Sequence, residues 1–120
     1  MEFVFDHVNV LVTDMARSVA CYEKTLGMKI IREMGSADGP VHFVCMGYEN
    51  SDMVLELKRE KAHEGPYQLG DNSHHFCVKT PDIGEALALY RSMGIIVREM
   101  NGHGAFIRDP DGYEVEVLQK

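Results

Sequence analysis

The sequence predicts an α+β fold that contains two copies of a βαβββ module. The segment beginning at His7 recurs 68 residues later at His75, and each histidine is followed by an aspartate at +7 and a tyrosine at +15. Within each copy, alternating apolar residues predict strands, and apolar residues three and four positions apart predict one helix. Agreement over so many positions is typical of an internal repeat. The modules should cover about residues 1–58 and 73–120 of a single domain, with residues 59–72 as the connector.

The first strand and helix of each module follow from local patterns. Asp14 and Asp82 are placed to accept backbone hydrogen bonds at the helix starts, and Gly27 and Gly94 suit the left-handed residue that ends a helix. The helix residues expected to face the core are Met15, Val19, Tyr22 and Leu26, and then Ile83, Leu87, Tyr90 and Met93.

Three further strands follow each helix. The first of these is nearly identical in the two modules, at residues 30–34 and 96–100, and the last carries a glutamate, at residues 54–57 and 114–117. Turn-forming residues separate the strands at positions 35–40, 49–52, 101–104 and 109–112.

Composition restricts the classes of function. The chain has 120 residues, 19 acidic against 12 basic side chains and a formal net charge of -7, which disfavours nucleic acid and anionic membranes as partners. No apolar run is long enough to span a bilayer, and the first residues lack the features of a secretion signal. Cys21, Cys45 and Cys77 form no CxxC pair, so we interpret them as buried thiols of a cytoplasmic protein.

Strand alternation places four polar residues together on the face opposite the helices. The face expected to be covered by helices is apolar and comprises Val8, Val10, Val12, Met53, Leu55, Leu57, Phe76, Val78, Tyr113, Val115 and Val117. The other face carries His7, Glu56, His75 and Glu116, one on each of four strands at repeat-equivalent positions. A two-fold arrangement of the modules would bring these side chains together, which predicts a divalent metal site. We therefore expect a curved mixed sheet around this site, with the helices on its convex side.

The predicted donor set also limits the metal. Two neutral imidazoles and two carboxylates carry a charge that one divalent cation balances. Mixed nitrogen and oxygen donors suit nickel, cobalt, zinc or manganese better than calcium. Four protein ligands around an octahedral ion leave two positions open, which favours a catalytic site.

The remaining histidines are interpreted differently. His74 could replace His75 as a ligand, but the repeat and the alternation select His75. His42, His63 and His103 have no repeat partner, so we expect them at the surface or in loops, with His103, between two glycines, in a flap.

The chain resembles the vicinal oxygen chelate superfamily and, within it, glyoxalase I. The resemblance covers essentially the whole chain. It rests on His7, Arg17-Ser18, Tyr22, Leu26-Gly27-Met28-Lys29, Val54-Leu55-Glu56-Leu57, His75 and Asp109-Pro110-Asp111-Gly112-Tyr113-Glu114-Val115-Glu116. It implies metal ligation by His7, Glu56, His75 and Glu116, a nickel or cobalt preference for a short chain of this kind, and a homodimer.

The resemblance also implies a reaction. A substrate with two adjacent oxygens would chelate the metal, and Glu116 as the main base, with Glu56, would shuttle a proton through an enediolate. In glyoxalase I, this chemistry converts the hemithioacetal of methylglyoxal and glutathione into a thioester. Here Leu11 stands where the family usually has an arginine and Glu60 where it has an asparagine. Both usual residues help to hold glutathione, so we expect weak glutathione use.

Other functions remain open on the same scaffold. An iron dioxygenase would use His7, His75 and Glu116 alone, and an epimerase usually has glutamine at the position of Glu56. Fosfomycin-modifying relatives use three protein ligands. A drug-sequestering resistance protein would need a groove and no metal.

Overall fold

The computed structural model describes residues 1–120 and confirms both predicted βαβββ modules. The first consists of β1 (His7–Leu11), α1 (Met15–Leu26), β2 (Lys29–Gly35), β3 (Val41–Gly47) and β4 (Val54–Glu60). The second consists of β5 (His75–Thr80), α2 (Ile83–Met93), β6 (Ile96–Glu99), β7 (Gly104–Arg108) and β8 (Glu114–Gln119). The chain forms two compact units, residues 1–67 and 68–120, which divide within the predicted connector.

Each unit contains one four-stranded mixed sheet of the same topology. The strand order is β1-β4-β3-β2 in the first unit and β5-β8-β7-β6 in the second. The first and last strands of each module pair in parallel, and the remaining pairs are antiparallel. The parallel pair sets the site, because it aligns the strand that carries the histidine with the strand that carries the glutamate.

The helix ends agree with the sequence. The Asp14 side chain accepts a hydrogen bond from the backbone of Arg17, and the Asp82 side chain accepts one from the backbone of Glu85. Both helices end at a glycine in the left-handed conformation, with φ of 62° at Gly27 and 66° at Gly94. Neither helix, at 12 and 11 residues, is long and apolar enough to cross a membrane.

The core of each unit lies between its helix and its sheet. On the helices, Met15, Tyr22, Ile83, Leu87 and Tyr90 are buried as predicted, whereas Val19, Leu26 and Met93 are only half-buried, and Ser18 and Thr25 of α1 are also buried. On the sheets, the buried residues of the predicted apolar face are Val10, Val12, Leu55, Leu57, Tyr113, Val115 and Val117, while Val8, Phe76 and Val78 are half-buried.

Met53 does not belong to that face. Its side chain is 39% exposed and Val54 is buried instead. The reason is that β4 begins at Val54, so the strand alternation does not extend back to Met53.

His42 was wrongly predicted at the surface. It lies on β3, is only 5% exposed, and its Nε2 is hydrogen-bonded to Glu33 Oε1 at 2.5 Å. The partner on the neighbouring strand β2 offsets the cost of burying an imidazole. His103, in contrast, is exposed in the turn before β7 and His63 is exposed after β4, where it stacks on Tyr67.

The cysteines are free, but they are not all buried. Cys45 is buried on β3, Cys21 is half-buried on α1, and Cys77 is exposed on β5. The prediction is therefore wrong for Cys77, because the side chain lies on the face opposite the helix rather than in the core.

Candidate metal-binding and catalytic site

The first predicted ligand pair lies on β1 and β4. His7 Nε2 is 3.8 Å from Glu56 Oε2. The other ring nitrogen, Nδ1, is hydrogen-bonded to Asp6 Oδ2 at 2.6 Å. Because an ionised carboxylate only accepts hydrogen bonds, Nδ1 is the donor in this contact. The ring therefore has its Nε2 on the side of Glu56.

Glu56 is held by a second contact. Asn9 is its direct partner across the parallel β1–β4 pair, and Asn9 Nδ2 donates a hydrogen bond to Glu56 Oε1 at 3.0 Å. The Glu56 side chain is 12% exposed. One carboxylate oxygen is thus fixed by an amide, and the other lies towards His7. We call Asp6, His7, Asn9 and Glu56 the first half-site.

Charge in the first half-site favours the protonated imidazole. The hydrogen bond from Asp6 raises the pKa of His7, and the negative charge of Glu56 adds to this effect. The same hydrogen bond lowers the pKa of Asp6, and Arg32, whose Nη2 lies 3.6 Å from Asp6 Oδ2, adds to that shift. A cation that binds Nε2 must therefore compete with a proton for this nitrogen.

The second ligand pair lies on β5 and β8. His75 Nε2 is 3.0 Å from Glu116 Oε2, and the His75 ring packs edge-on against Phe106, with 4.9 Å between ring centroids. Cys77 is the direct partner of Glu116 across the parallel pair. Although Cys77 is exposed, partial burial of its thiol raises the pKa of that thiol, and the neighbouring Glu116 raises it further. We call His75, Cys77 and Glu116 the second half-site.

The structure brings the four predicted ligands together as two pairs, each with one imidazole nitrogen and one carboxylate oxygen. It contains no group of three or more histidine, cysteine, aspartate or glutamate side chains that could hold a metal ion. The chemistry of each pair fits a divalent transition-metal ion, because nitrogen and carboxylate oxygen are donors that such ions accept together. Of the two neighbouring histidines that the sequence offered, His75 is the one whose Nε2 lies 3.0 Å from Glu116 Oε2.

A cavity of about 500 Å³ adjoins the second half-site. His75, Arg98 and Phe106 contribute to its wall, and the Arg98 guanidinium lies over the Phe106 ring at 4.8 Å. A cavity beside an imidazole–carboxylate pair is large enough for a small substrate.

Sequence reasoning missed two residues that contact the predicted ligands, Asp6 and Asn9. Asp6 directly precedes the first predicted ligand, and Asn9 lies two residues after it on the same face of β1. An acid next to a candidate histidine ligand is a signal that a search for second-sphere carboxylates could have used.

Comparison with known proteins identifies the family. The profile of the glyoxalase/bleomycin resistance protein/dioxygenase superfamily matches residues 4–117. The chain belongs to this superfamily. It is 35% identical to a lactoylglutathione lyase of Neisseria meningitidis over 95% of this chain and 88% of that protein. It is 30% identical to a lactoylglutathione lyase of Pseudomonas aeruginosa, over 98% of this chain and 83% of that protein.

The fold comparison agrees with the family. The structure of the trypanothione-dependent glyoxalase I of Leishmania major aligns with a TM-score of 0.85 and 28% identity, over 98% of this chain and 87% of that chain. The superfamily resemblance drawn from the sequence is thereby confirmed, and so is the glyoxalase I-like α+β fold.

Proposed function

We propose that this protein is a metal-dependent glyoxalase I-type lyase. It would convert a hemithioacetal of methylglyoxal and a thiol into a thioester. The observation that carries the proposal is the pairing of His7 with Glu56 and of His75 with Glu116 at repeat-equivalent strand positions. Relatives named lactoylglutathione lyase, at 30–35% identity over nearly the whole chain, support the same reaction class.

In this proposal, one divalent ion is assigned to each set of His7, Glu56, His75 and Glu116. The set would come either from one chain or from two chains of a homodimer. When bound, the ion would supply positive charge that stabilises the two adjacent substrate oxygens as a proton leaves carbon. Two imidazoles and two carboxylates suit nickel, cobalt, zinc or manganese. The resemblance to short glyoxalase I chains favours nickel or cobalt among them.

The proton is moved by a glutamate. Glu116 would take it from one carbon and return it to the neighbouring carbon, which changes an aldehyde-level carbon and a ketone into a thioester and an alcohol. The Glu116 side chain is 20% exposed against 12% for Glu56, and an amide hydrogen bond holds Glu56, which favours Glu116 as the base. Glu56 would act mainly as a metal ligand.

The thiol that this enzyme would use is set by residues beyond the metal ligands. Leu11 and Glu60 lie at the ends of β1 and β4, on the face that carries His7 and Glu56. Glu60 Oε1 is 2.9 Å from Lys58 Nζ, and this contact lowers the pKa of Glu60 and keeps it negatively charged. A negative charge there opposes the carboxylates of glutathione. We therefore propose a weak preference for glutathione; the Leishmania major relative, which depends on trypanothione, shows that thiol use differs within the fold.

We also propose that the protein acts in the cytoplasm. All three cysteines are free thiols, which supports a reducing compartment for this protein. Small-molecule substrates with adjacent oxygens would be its only partners besides a second copy of the chain.

Metal analysis tests the proposed function. Protein purified without chelator should contain about one nickel, cobalt, zinc or manganese ion per ligand set, and chelation should lower its melting temperature because binding to the folded state is lost. Reconstitution with single metals should restore isomerisation of the methylglyoxal hemithioacetal. Absence of bound metal, with equal melting temperatures before and after chelation, would contradict the proposal.

A further inference from the structure

The first half-site contains two polar side chains that are not ligands in the proposed function. Asp6 bonds to the ring of His7, and Asn9 bonds to the carboxylate of Glu56. The second half-site has other side chains at these two positions, and there a thiol rather than an amide contacts the glutamate. The residue before His75 is His74, and the residue two positions after it is Cys77.

We propose that Asp6 and Asn9 are positioning residues, which hold His7 and Glu56 in the orientation needed to bind a cation. The proposal rests on the metal-binding function proposed above. Asp6 fixes which ring nitrogen carries the hydrogen, and Asn9 fixes which carboxylate oxygen is available.

The geometry around His7 supports the role of Asp6. At 2.6 Å, Asp6 Oδ2 is within hydrogen-bond distance of Nδ1, whereas Nε2 lies 3.8 Å from Glu56 Oε2 and outside that range. A neutral ring in this setting carries its hydrogen on Nδ1 and has a lone pair on Nε2. Carboxylates that receive the second ring N–H of a ligating histidine fix its tautomer and make the other nitrogen a better donor to metal.

Arg32 adds a further support to the first half-site. Its Nη2 lies 3.6 Å from Asp6 Oδ2, the same oxygen that bonds to His7. Asp6 is 69% exposed, so by itself it would have freedom to rotate. A guanidinium at this distance restricts that freedom.

The geometry around Glu56 supports the role of Asn9. The two residues are directly paired across β1 and β4, so their side chains emerge side by side. Asn9 Nδ2 donates a hydrogen bond to Glu56 Oε1 at 3.0 Å, and Glu56 Oε2 is the oxygen on the side of His7. The available donors of the half-site are therefore Nε2 of His7 and Oε2 of Glu56.

Nitrogen-15 NMR of the metal-free protein at about pH 8 tests Asp6 without any metal. Wild-type His7 should show the tautomer with hydrogen on Nδ1, and Asp6→Ala should move it towards the usual tautomer with hydrogen on Nε2. Asp6→Asn retains an acceptor oxygen and should keep most of the wild-type signature. The His75 signals serve as an internal control and should not change. An Nε2–H tautomer in the wild type, or no change in Asp6→Ala, would overturn the role of Asp6.

Calorimetric titration with nickel and cobalt tests both residues. Asp6→Ala and Asn9→Ala should each weaken metal affinity by about 10–100-fold, the range typical of removed second-sphere partners. Asp38→Ala removes an exposed carboxylate in the same unit and should leave affinity within about twofold. Unchanged affinity in Asn9→Ala would overturn the role of Asn9.

The His7→Ala variant separates this inference from the proposed function. If His7→Ala abolishes metal binding but Asp6→Ala and Asn9→Ala do not weaken it, the positioning roles are wrong and the metal centre stands. If His7→Ala leaves metal binding unchanged, the metal centre is wrong, while the tautomer of His7 still decides whether Asp6 holds the ring.

Discussion

In the first half-site, the imidazole and its carboxylate are 3.8 Å apart and each is held by another residue, whereas in the second they lie 3.0 Å apart and contact each other directly. The strands that carry them have the same order and the same parallel pairing. The difference comes from side chains next to the ligands, namely Asp6 and Asn9 against His74 and Cys77.

This comparison shows how a duplicated fold can acquire unlike halves. The repeat fixes which strands carry the histidine and the glutamate, and single neighbouring residues then decide what each glutamate contacts. A glutamate held by an amide suits a ligand, and the more exposed Glu116 suits a base that accepts and returns a proton. Variants of Glu56, Glu116 and Cys77 test this division of roles.

The largest expected effect is the loss of the proposed base. Glu116→Gln keeps an oxygen donor but removes the basic carboxylate, so kcat should fall by about 10²–10⁴-fold on the methylglyoxal hemithioacetal. Glu56→Gln should lower kcat less, and metal affinity in both variants should fall less than turnover. The measurements are steady-state kinetics and calorimetric metal titration on the same preparations.

Glu99→Gln is the matched control for Glu116→Gln, because it neutralises a glutamate of the same unit that pairs with Arg91 outside the second half-site. Its turnover should stay near the wild-type value. Equal losses in Glu56→Gln and Glu116→Gln would contradict the division of roles, and unchanged turnover in both would remove the proton shuttle.

The second expected effect concerns the thiol. Leu11→Arg with Glu60→Asn should lower KM for the glutathione adduct about tenfold or more, since a contact between charged groups contributes about 1.5–3 kcal/mol. Lys58 also loses its 2.9 Å ion pair with Glu60 in this variant and becomes available to an anionic substrate. Lys79→Arg, at the position of β5 that corresponds to Leu11, is a control that adds no charge. A wild-type kcat/KM on the order of 10⁶ M⁻¹s⁻¹ with glutathione would show that neither residue limits its use.

Most of the fold could be predicted from the sequence because its signals are local. Asp14 and Gly27 mark the two ends of α1 through contacts within one turn of the helix, and the repeat transfers the same assignment to the second module. Strand alternation also identified the faces correctly wherever the strand was regular. It failed at Met53, which lies one residue before β4 begins.

The contacts that distinguish the half-sites could not be predicted in the same way. The bond from Asn9 to Glu56 depends on the register of two strands 47 positions apart in sequence. The burial of His42 depends on Glu33 lying beside it after the β2–β3 hairpin has formed. Sequence alternation tells which face a residue is on, and it does not tell which neighbour on that face it will bond to.

The third prediction concerns a substitution that gives Glu116 an amide neighbour like the one that Glu56 has in Asn9. Cys77 pairs with Glu116 as Asn9 pairs with Glu56, so Cys77→Asn should place an amide donor beside the proposed base. Replacing the weak thiol contact with an amide hydrogen bond stabilises the carboxylate by about 1 kcal/mol, which should lower kcat about fivefold with little loss of metal affinity. Cys21→Ser, on α1, removes a thiol away from the ligands and should not change kcat. An unchanged kcat in Cys77→Asn would mean that restraint on Glu116 does not limit proton transfer.

The smallest expected effect is a pH dependence of stability that comes from one ion pair of the second unit. Arg91 donates to both carboxylate oxygens of Glu99, at 2.6 and 2.8 Å, and this hydrogen bonding lowers the pKa of Glu99 below its ordinary value of 4.5. A carboxyl whose pKa is lower in the folded state stabilises that state above the unfolded pKa, and this contribution is lost as the pH falls through the folded pKa. The corresponding glutamate of the first module, Glu33, bonds to His42 instead.

Wild type should therefore melt at a higher temperature than Glu99→Gln at pH 7, and the difference should shrink as the pH falls below about 4.5. The pair is exposed to solvent, so the difference at pH 7 should be small and should decrease at high salt. Arg91 stays charged throughout this range, which leaves Glu99 as the only member of the pair that titrates. Thermal melts of both proteins at pH 7, 5, 4 and 3, each at low and high salt, measure the effect. A difference that is constant from pH 7 to pH 3 would show that the ion pair between Arg91 and Glu99 does not contribute to stability.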